Sequence, residues 1–328
     1  MKRFIVLIAA SVLVQAQQPG GGLQIGSEIP PELEQVYRSG LTYLAASQTS
    51  EGDWEDSYGS QPGVVGVALL AFLASGEDPN YGPYRTVLQR GTNYLIDQQD
   101  QRTGYIGNSM YNHGFATLAL AELYGHLDSD RVGPALQKAV NLILESQKNN
   151  SLGAWRYTPV SSDADTTISG AQMVALIAAK NAGLALPQES LPRGTEYYAS
   201  MMSNDGGIAY SGPSGSGNST RSAIASLVFS LQNDYSSVPS KKTFEYIRNH
   251  VDQTSSSYPY YHFYYLAQAL FQGDMSIWEG WNRKILRVFE ATQMEDGSWN
   301  GSRGAAFTTS AALLSMALNY RLMPIYER

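Results

Sequence analysis

The chain has 328 residues, no cysteine, and 22 basic against 29 acidic side chains, a formal charge of −7. The lack of cysteine excludes disulfides, thiolate–zinc sites, cysteine nucleophiles and a cysteine-borne lipid anchor. The acidic balance argues against nucleic acid or an anionic membrane surface as partner, because each requires a basic face.

At the start, Lys2 and Arg3 precede eleven mostly apolar residues, Phe4 to Val14, followed by Val14-Gln15-Ala16. This pattern predicts a secretory signal peptide over residues 1–16, too short for a membrane span of about 18 or more apolar residues. Cleavage after Ala16 would remove two positive charges and leave 20 basic against 29 acidic side chains, a balance of −9. Residues 17–31, opening Gln17-Gln18-Pro19-Gly20-Gly21-Gly22, read as a flexible lead-in. The expectation is a secreted or periplasmic protein with no stable membrane insertion. It would be held by its core alone, for which roughly 310 residues suffice.

Residues 32–328 read as one domain in which a single phrase recurs about six times. The first copy is Ser39-Gly40-x-x-Tyr43-Leu44-x-x-x-Gln48-x-x-x-Gly52-x-Trp54, and the second Arg90-Gly91-x-x-Tyr94-Leu95-x-x-x-Gln99 with Gly104-Tyr105. Lys138-Ala139 leads to Gln147 and Gly153-x-Trp155, and Lys284-Ile285 leads to Gln293 and Gly297-x-Trp299. Two copies are worn: Arg193-Gly194-x-x-Tyr197-Tyr198 has Met202 at the glutamine position, and Lys242-Thr243-x-x-Tyr246-Ile247 has Val251 there. The anchors at 43, 94, 142, 197, 246 and 288 are spaced by 51, 48, 55, 49 and 42 residues. A period of that length marks a repeat architecture whose units bury their apolar faces against one another.

Within each unit the phrase predicts an outer amphipathic helix ending at a glycine turn. A more apolar inner helix follows, over 64–74, 115–124, 168–179, 223–231, 263–271 and 306–318. Six helical hairpins make about twelve helices. The last unit preserves the phrase better than the middle ones and lacks the polar outer face of a terminal cap, which favours a closed ring over an open superhelix.

These residues resemble the QW repeats of the squalene–hopene cyclase and protein prenyltransferase β-subunit superfamily, over nearly the whole chain after the leader. The resemblance implies an all-α (α/α)6 toroid with parallel inner helices around a central cavity, its Gln and Trp tying neighbouring units together. It implies activity less directly, since one fold hosts unrelated functions. The cysteine of the prenyltransferase zinc site is missing, as is the complement-type thioester. Triterpene cyclases carry two such toroids where this chain has one, a form that is similar to single-toroid exported bacterial repeat proteins.

Parallel inner helices would bring their N-termini to one mouth, where unpaired N–H groups favour negative or polar ligands. The candidates there begin with Tyr58, Gln61, Tyr111, Asn112, His113, Asp163, Asp165, Thr166 and Thr220. Arg221, Tyr258, Tyr260, Tyr261, His262, Arg303 and Phe307 follow, with Arg156 in Trp155-Arg156-Tyr157. Asp163-Ala164-Asp165-Thr166-Thr167 resembles the Asp-x-Asp-Asp motif of class II terpene cyclases, which implies Asp165 as proton donor with Thr166 replacing the third acid. The same Asp165 suits a helix N-cap. His113 reads as a base or a ligand donor, or as a structural residue at a helix start. Arg156 could contact a ligand or stack on its flanking rings. No two histidines lie at i, i+4, so neither a metal site nor a cofactor is expected.

The leading reading is a monomeric toroid that binds a small-molecule, isoprenoid or glycan ligand in its cavity. The alternatives are a class II cyclase using Asp165, a polysaccharide lyase or glycosidase with carboxylates on the rim (Glu51, Asp53, Glu55, Asp56, Glu295, Asp296), and a structural or protein-interaction ring.

Overall fold

The computed structural model describes residues 31–325 apart from Tyr58, Pro213, Ser214, Ser256 and Pro324. The expected signal peptide, the lead-in up to residue 30 and the candidate Tyr58 lie outside the described residues. Among the described residues twelve α-helices follow in pairs: α1 (Pro31–Ser47) and α2 (Pro62–Leu73), α3 (Arg85–Asp97) and α4 (Met110–Leu123), α5 (Val132–Asn149) and α6 (Thr166–Asn181). The other three pairs are α7 (Ser190–Ser200) and α8 (Ser219–Leu231), α9 (Val238–Asn249) and α10 (Pro259–Gly273), α11 (Met275–Thr292) and α12 (Ala305–Ala317). A two-residue antiparallel hairpin, β1 (Glu55–Asp56) with β2 (Gly59–Ser60), interrupts the turn between α1 and α2.

Each even-numbered helix packs on the next, and α12 packs back on α2, so the inner helices form a closed ring. The fold is an (α/α)6 toroid. The outer helices are amphipathic: α3 buries Leu88, Gly91, Thr92, Leu95 and Ile96, one stripe at helical spacing. The inner helices are enclosed all round, and α4 buries every residue except Tyr111. They start up to about a turn earlier than the apolar pattern predicts. Their first turns carry polar caps, such as Ser109 accepting from Asn112 N–H and Asn218 accepting from Arg221 N–H, and caps hide the periodicity.

The repeated phrase is the joint between units. Gln147 Nε2 donates to Gly153 O in its own turn and to Ser190 O of the next outer helix, both at 2.8 Å. Gln48 forks likewise to Gly52 O and Val87 O, and Gln99 to Gly104 O and Ala135 O. Gln293 closes the ring by reaching Val36 O at 2.9 Å. The tryptophan indoles of 54, 155 and 299 lie buried and donate back to Leu44 O, Ile143 O and Phe289 O. In the worn fourth unit the Thr243 hydroxyl meets Met202 Sδ at 3.8 Å, a weaker contact at the same joint. The small residue of the phrase admits an inner side chain: a Cβ on Gly91 would lie 2.8 Å from Leu69 Cδ2.

Replacing Gln147 with leucine strips two buried carbonyls of their donor and should cost about 2 kcal/mol or more. Urea unfolding would show a lower midpoint at unchanged slope. An unchanged midpoint would mean that the joint does not depend on the amide.

Candidate functional site

The inner helices start at one mouth, and there the fold gathers Asp163, Asp165, Arg156 and Tyr111 with three residues beside them. Asp165 is the N-cap of α6 and is fully buried. Its Oδ1 accepts from the N–H groups of Thr167 and Ile168, both at 2.9 Å, and from the Thr167 hydroxyl at 2.6 Å. Its Oδ2 faces Arg156 Nη1 at 3.4 Å. Arg156 Nε meets Asp163 Oδ2, also at 3.4 Å, and the Asp163 side chain is exposed. One guanidinium therefore bridges a buried and an exposed carboxylate.

The same guanidinium lies 5.1 Å from the Tyr157 ring centre and 5.2 Å from that of Tyr210. The two hydroxyls are 2.8 Å apart. Tyr111 completes the cluster, donating to the Thr167 hydroxyl at 2.5 Å with its ring 6.2 Å from that of Tyr157. Burial first, and the Asp165 charge second, push the Tyr111 hydroxyl pKa up, so it stays a neutral donor. Beside Tyr210 opens a recess of about 360 Å³, lined by Tyr210, Ser211, Gly212, Gly215, Ser216 and Arg221.

Other expected residues turn away. His113 is buried against the outer layer: Nδ1 accepts from Ile106 N–H at 3.1 Å and Nε2 donates to Ala139 O at 3.0 Å. Burial lowers its pKa to about 4, so it is a neutral imidazole holding α4 to α5. His262 is buried beside the Thr220 hydroxyl, 3.0 Å from Nδ1, and burial likewise lowers its pKa to about 4. Asn112 stitches α4 to α2, accepting from Gly63 N–H at 3.0 Å and donating to Gln61 Oε1 at 2.7 Å. Tyr260 stacks on Phe289 of α11, ring centres 5.9 Å apart, and Arg303 covers the exposed Tyr258 ring at 4.6 Å. On the rim, Asp56 accepts from Phe307 N–H at 2.9 Å, a cap across the seam between the first and last units. Among the described residues no cluster of three or more His, Asp or Glu is placed to hold a metal.

An open central cavity at this level is not what the structure has. Phe115 on α4 and Tyr264 on α10 belong to helices on opposite sides of the ring, yet their ring centres are 6.5 Å apart. Tyr261 is partly buried with its ring 5.0 Å from that of Tyr265, its hydroxyl is buried, and the Tyr265 and Tyr111 hydroxyls reinforce burial in raising its pKa. Aromatic side chains fill the bore below the mouth because α4 and α10 each direct large rings inward.

Tyr157 was visible in the sequence only as a flanking ring, and Tyr210 was missed. A signal for both existed: each stands four residues after its turn glycine, Gly153 and Gly206, the register held by Asp56 in the first unit. That register forms the mouth because its backbone meets the inner helix of the preceding unit, as Met110 N–H of α4 donates to Tyr157 O and Thr166 N–H of α6 to Tyr210 O, both at 2.9 Å.

No protein-family model matches the sequence, and no curated protein is detectably similar to it. Solved structures do match in shape. The type II terpene cyclase MstE from Scytonema aligns at 16% identity and a TM-score of 0.61, covering 89% of this chain and 98% of the cyclase. An inactive variant of the α-1,6-mannanase GH76A of Salegentibacter sp. HEL1_6, in complex with α-1,6-mannotetrose, aligns at 9% identity and a TM-score of 0.67, covering 88% and 99%. A protein from Actinoplanes aligns at 14% identity and a TM-score of 0.59, covering 88% and 99%. What the chain shares with these proteins is architecture: it has an α/α-toroid fold.

Proposed function

We propose that this chain is an exported single toroid of the squalene cyclase and prenyltransferase repeat type that binds a glycan at the mouth where its inner helices start. The observation that carries this reading is the Tyr157–Tyr210 pair bracketing Arg156, with linked hydroxyls and the recess alongside. A sugar ring presents C–H faces to aromatic rings and hydroxyls to a carboxylate–guanidinium fork, and this cluster offers both kinds of contact. Export is proposed from the leader pattern, and Asp163, Asp165, Arg156, Tyr111 and Arg221 are the residues placed to serve the site.

The cyclase alternative finds less support. Asp165 is committed to the fold: its Oδ1 accepts three hydrogen bonds at the start of α6 and its Oδ2 faces Arg156, so neither oxygen is turned to an alkene in the bore. The rings that fill the bore also take space that a folded hydrocarbon would need. The same filled bore favours an interaction ring as the second reading.

Calorimetric titration with soluble oligosaccharides, α-1,6-mannotetraose and acidic chains included, tests the proposal. Binding is expected in the wild type and at least about tenfold weaker in Tyr210→Ala, the scale of one lost aromatic contact of 1–1.5 kcal/mol. No binding to any glycan, or an isoprenoid copurifying in native mass spectrometry, would refute it.

A further inference from the structure

The recess beside Tyr210 contains a cation without a counter-ion. Arg221 is half-buried, its Nε donates to Ile208 O at 3.0 Å and its Nη2 to Ser216 O at 2.8 Å. No carboxylate pairs with it among the described residues. Burial pulls its pKa down, and only the Tyr246 and Tyr210 phenols, themselves neutral at ordinary pH, act the other way. Its neighbour Arg156 is already matched by two carboxylates.

We propose that the recess takes the carboxylate of an acidic sugar, a uronic acid residue within a glycan chain, with Arg221 as counter-ion and Tyr210 as the platform for the ring. The proposal rests on the glycan reading above and narrows its ligand class. Two backbone hydrogen bonds hold the guanidinium in place, so little side-chain freedom is lost when its remaining Nη1 edge meets a carboxylate. One uncompensated positive charge calls for one negative charge, which a uronate supplies and a neutral hexose does not. The volume of about 360 Å³ lies within the range of small-ligand sites, and Tyr210, whose hydroxyl meets that of Tyr157, forms one wall of the recess.

The test is calorimetric titration of the full-length protein with a galacturonic acid pentamer and with a neutral oligosaccharide of equal length, at low and high salt. The acidic chain should bind at least about tenfold more tightly, and the preference should shrink as salt rises. Arg221→Gln should abolish the preference for the acidic chain, and Arg221→Lys, which keeps the charge, should retain it. Circular dichroism confirms that each variant is folded. Equal binding of both chains by the wild type would overturn the uronate assignment and leave the glycan reading standing. A preference surviving in Arg221→Gln would overturn the role of Arg221. Failure of both chains to bind would bring down the glycan reading itself.

Discussion

Substituting Gly297 with alanine should destabilise the toroid by about 3 kcal/mol or more. Gly297 has φ +89°, a conformation that costs an L-residue roughly 1–2 kcal/mol. An added Cβ would also lie 2.3 Å from Ser39 O, a backbone atom of α1 that cannot swing aside. The turn would have to move away from α1, and Gln293 would lose Val36 O with it. This is the joint between the last and the first unit, so loosening it opens the ring. At the 2–4 °C per kcal/mol typical of large domains, the melting temperature should fall by roughly 6–12 °C. Gly52, with φ +96° and a Cβ position 2.4 Å from Arg90 O, should respond similarly within the ring. An unaltered melting curve for Gly297→Ala would mean that the ring is not closed at this seam.

The second large effect is one of pH. Glu122 lies on the inward stripe of α4 that carries Tyr111, Phe115 and Leu118, and only 7% of it is exposed. Burial raises its pKa from 4.5 to about 8, with no charge or hydrogen bond to offset it. The sign follows from proton binding: between pH 4.5 and 8 the folded chain keeps a proton that the unfolded chain releases. Stability therefore falls as pH rises through that window, and the full cost is present above about pH 8. A shift of that size corresponds to roughly 5 kcal/mol at most, at 1.36 kcal/mol per pKa unit. Glu122→Gln, which keeps the shape and cannot ionise, should melt close to the wild type at pH 4.5 and several degrees above it at pH 8.5. Parallel pH profiles for the two proteins would show that Glu122 is ionised in the folded state.

The architecture was legible because it is written in local patterns. A Gln eight residues beyond a small residue (Ile285 in the last copy), and a turn glycine four to six residues later, recur at nearly constant spacing, and each of these four copies makes the same kind of hydrogen bond to the next unit. Even the worn copies were readable as weaker joints, as Met202 shows. Ring closure was foreshadowed by the well-preserved last unit, and Gln293 to Val36 is the bond that bears it out.

The site was legible only in part, since proximity in sequence does not decide which way a helical side chain points. Successive residues are rotated by about 100°, so residues two apart face nearly opposite ways. Tyr111 therefore turns into the mouth while His113 turns out to Ala139. Tyr261 enters the bore, Tyr260 packs on Phe289, and His262 reaches Thr220 on the neighbouring α8. Tyr210 joins Arg156 from a different unit, 54 positions along the chain. By itself the sequence determined six hairpins, their order and the joints between them, because these rest on short-range helical periodicity and on glycine turns. Tertiary structure alone decided that the bore is filled and that Arg156 bridges Asp163 and Asp165. Both depend on helical phase and on side chains brought together from separate repeats, which no single stretch of sequence encodes.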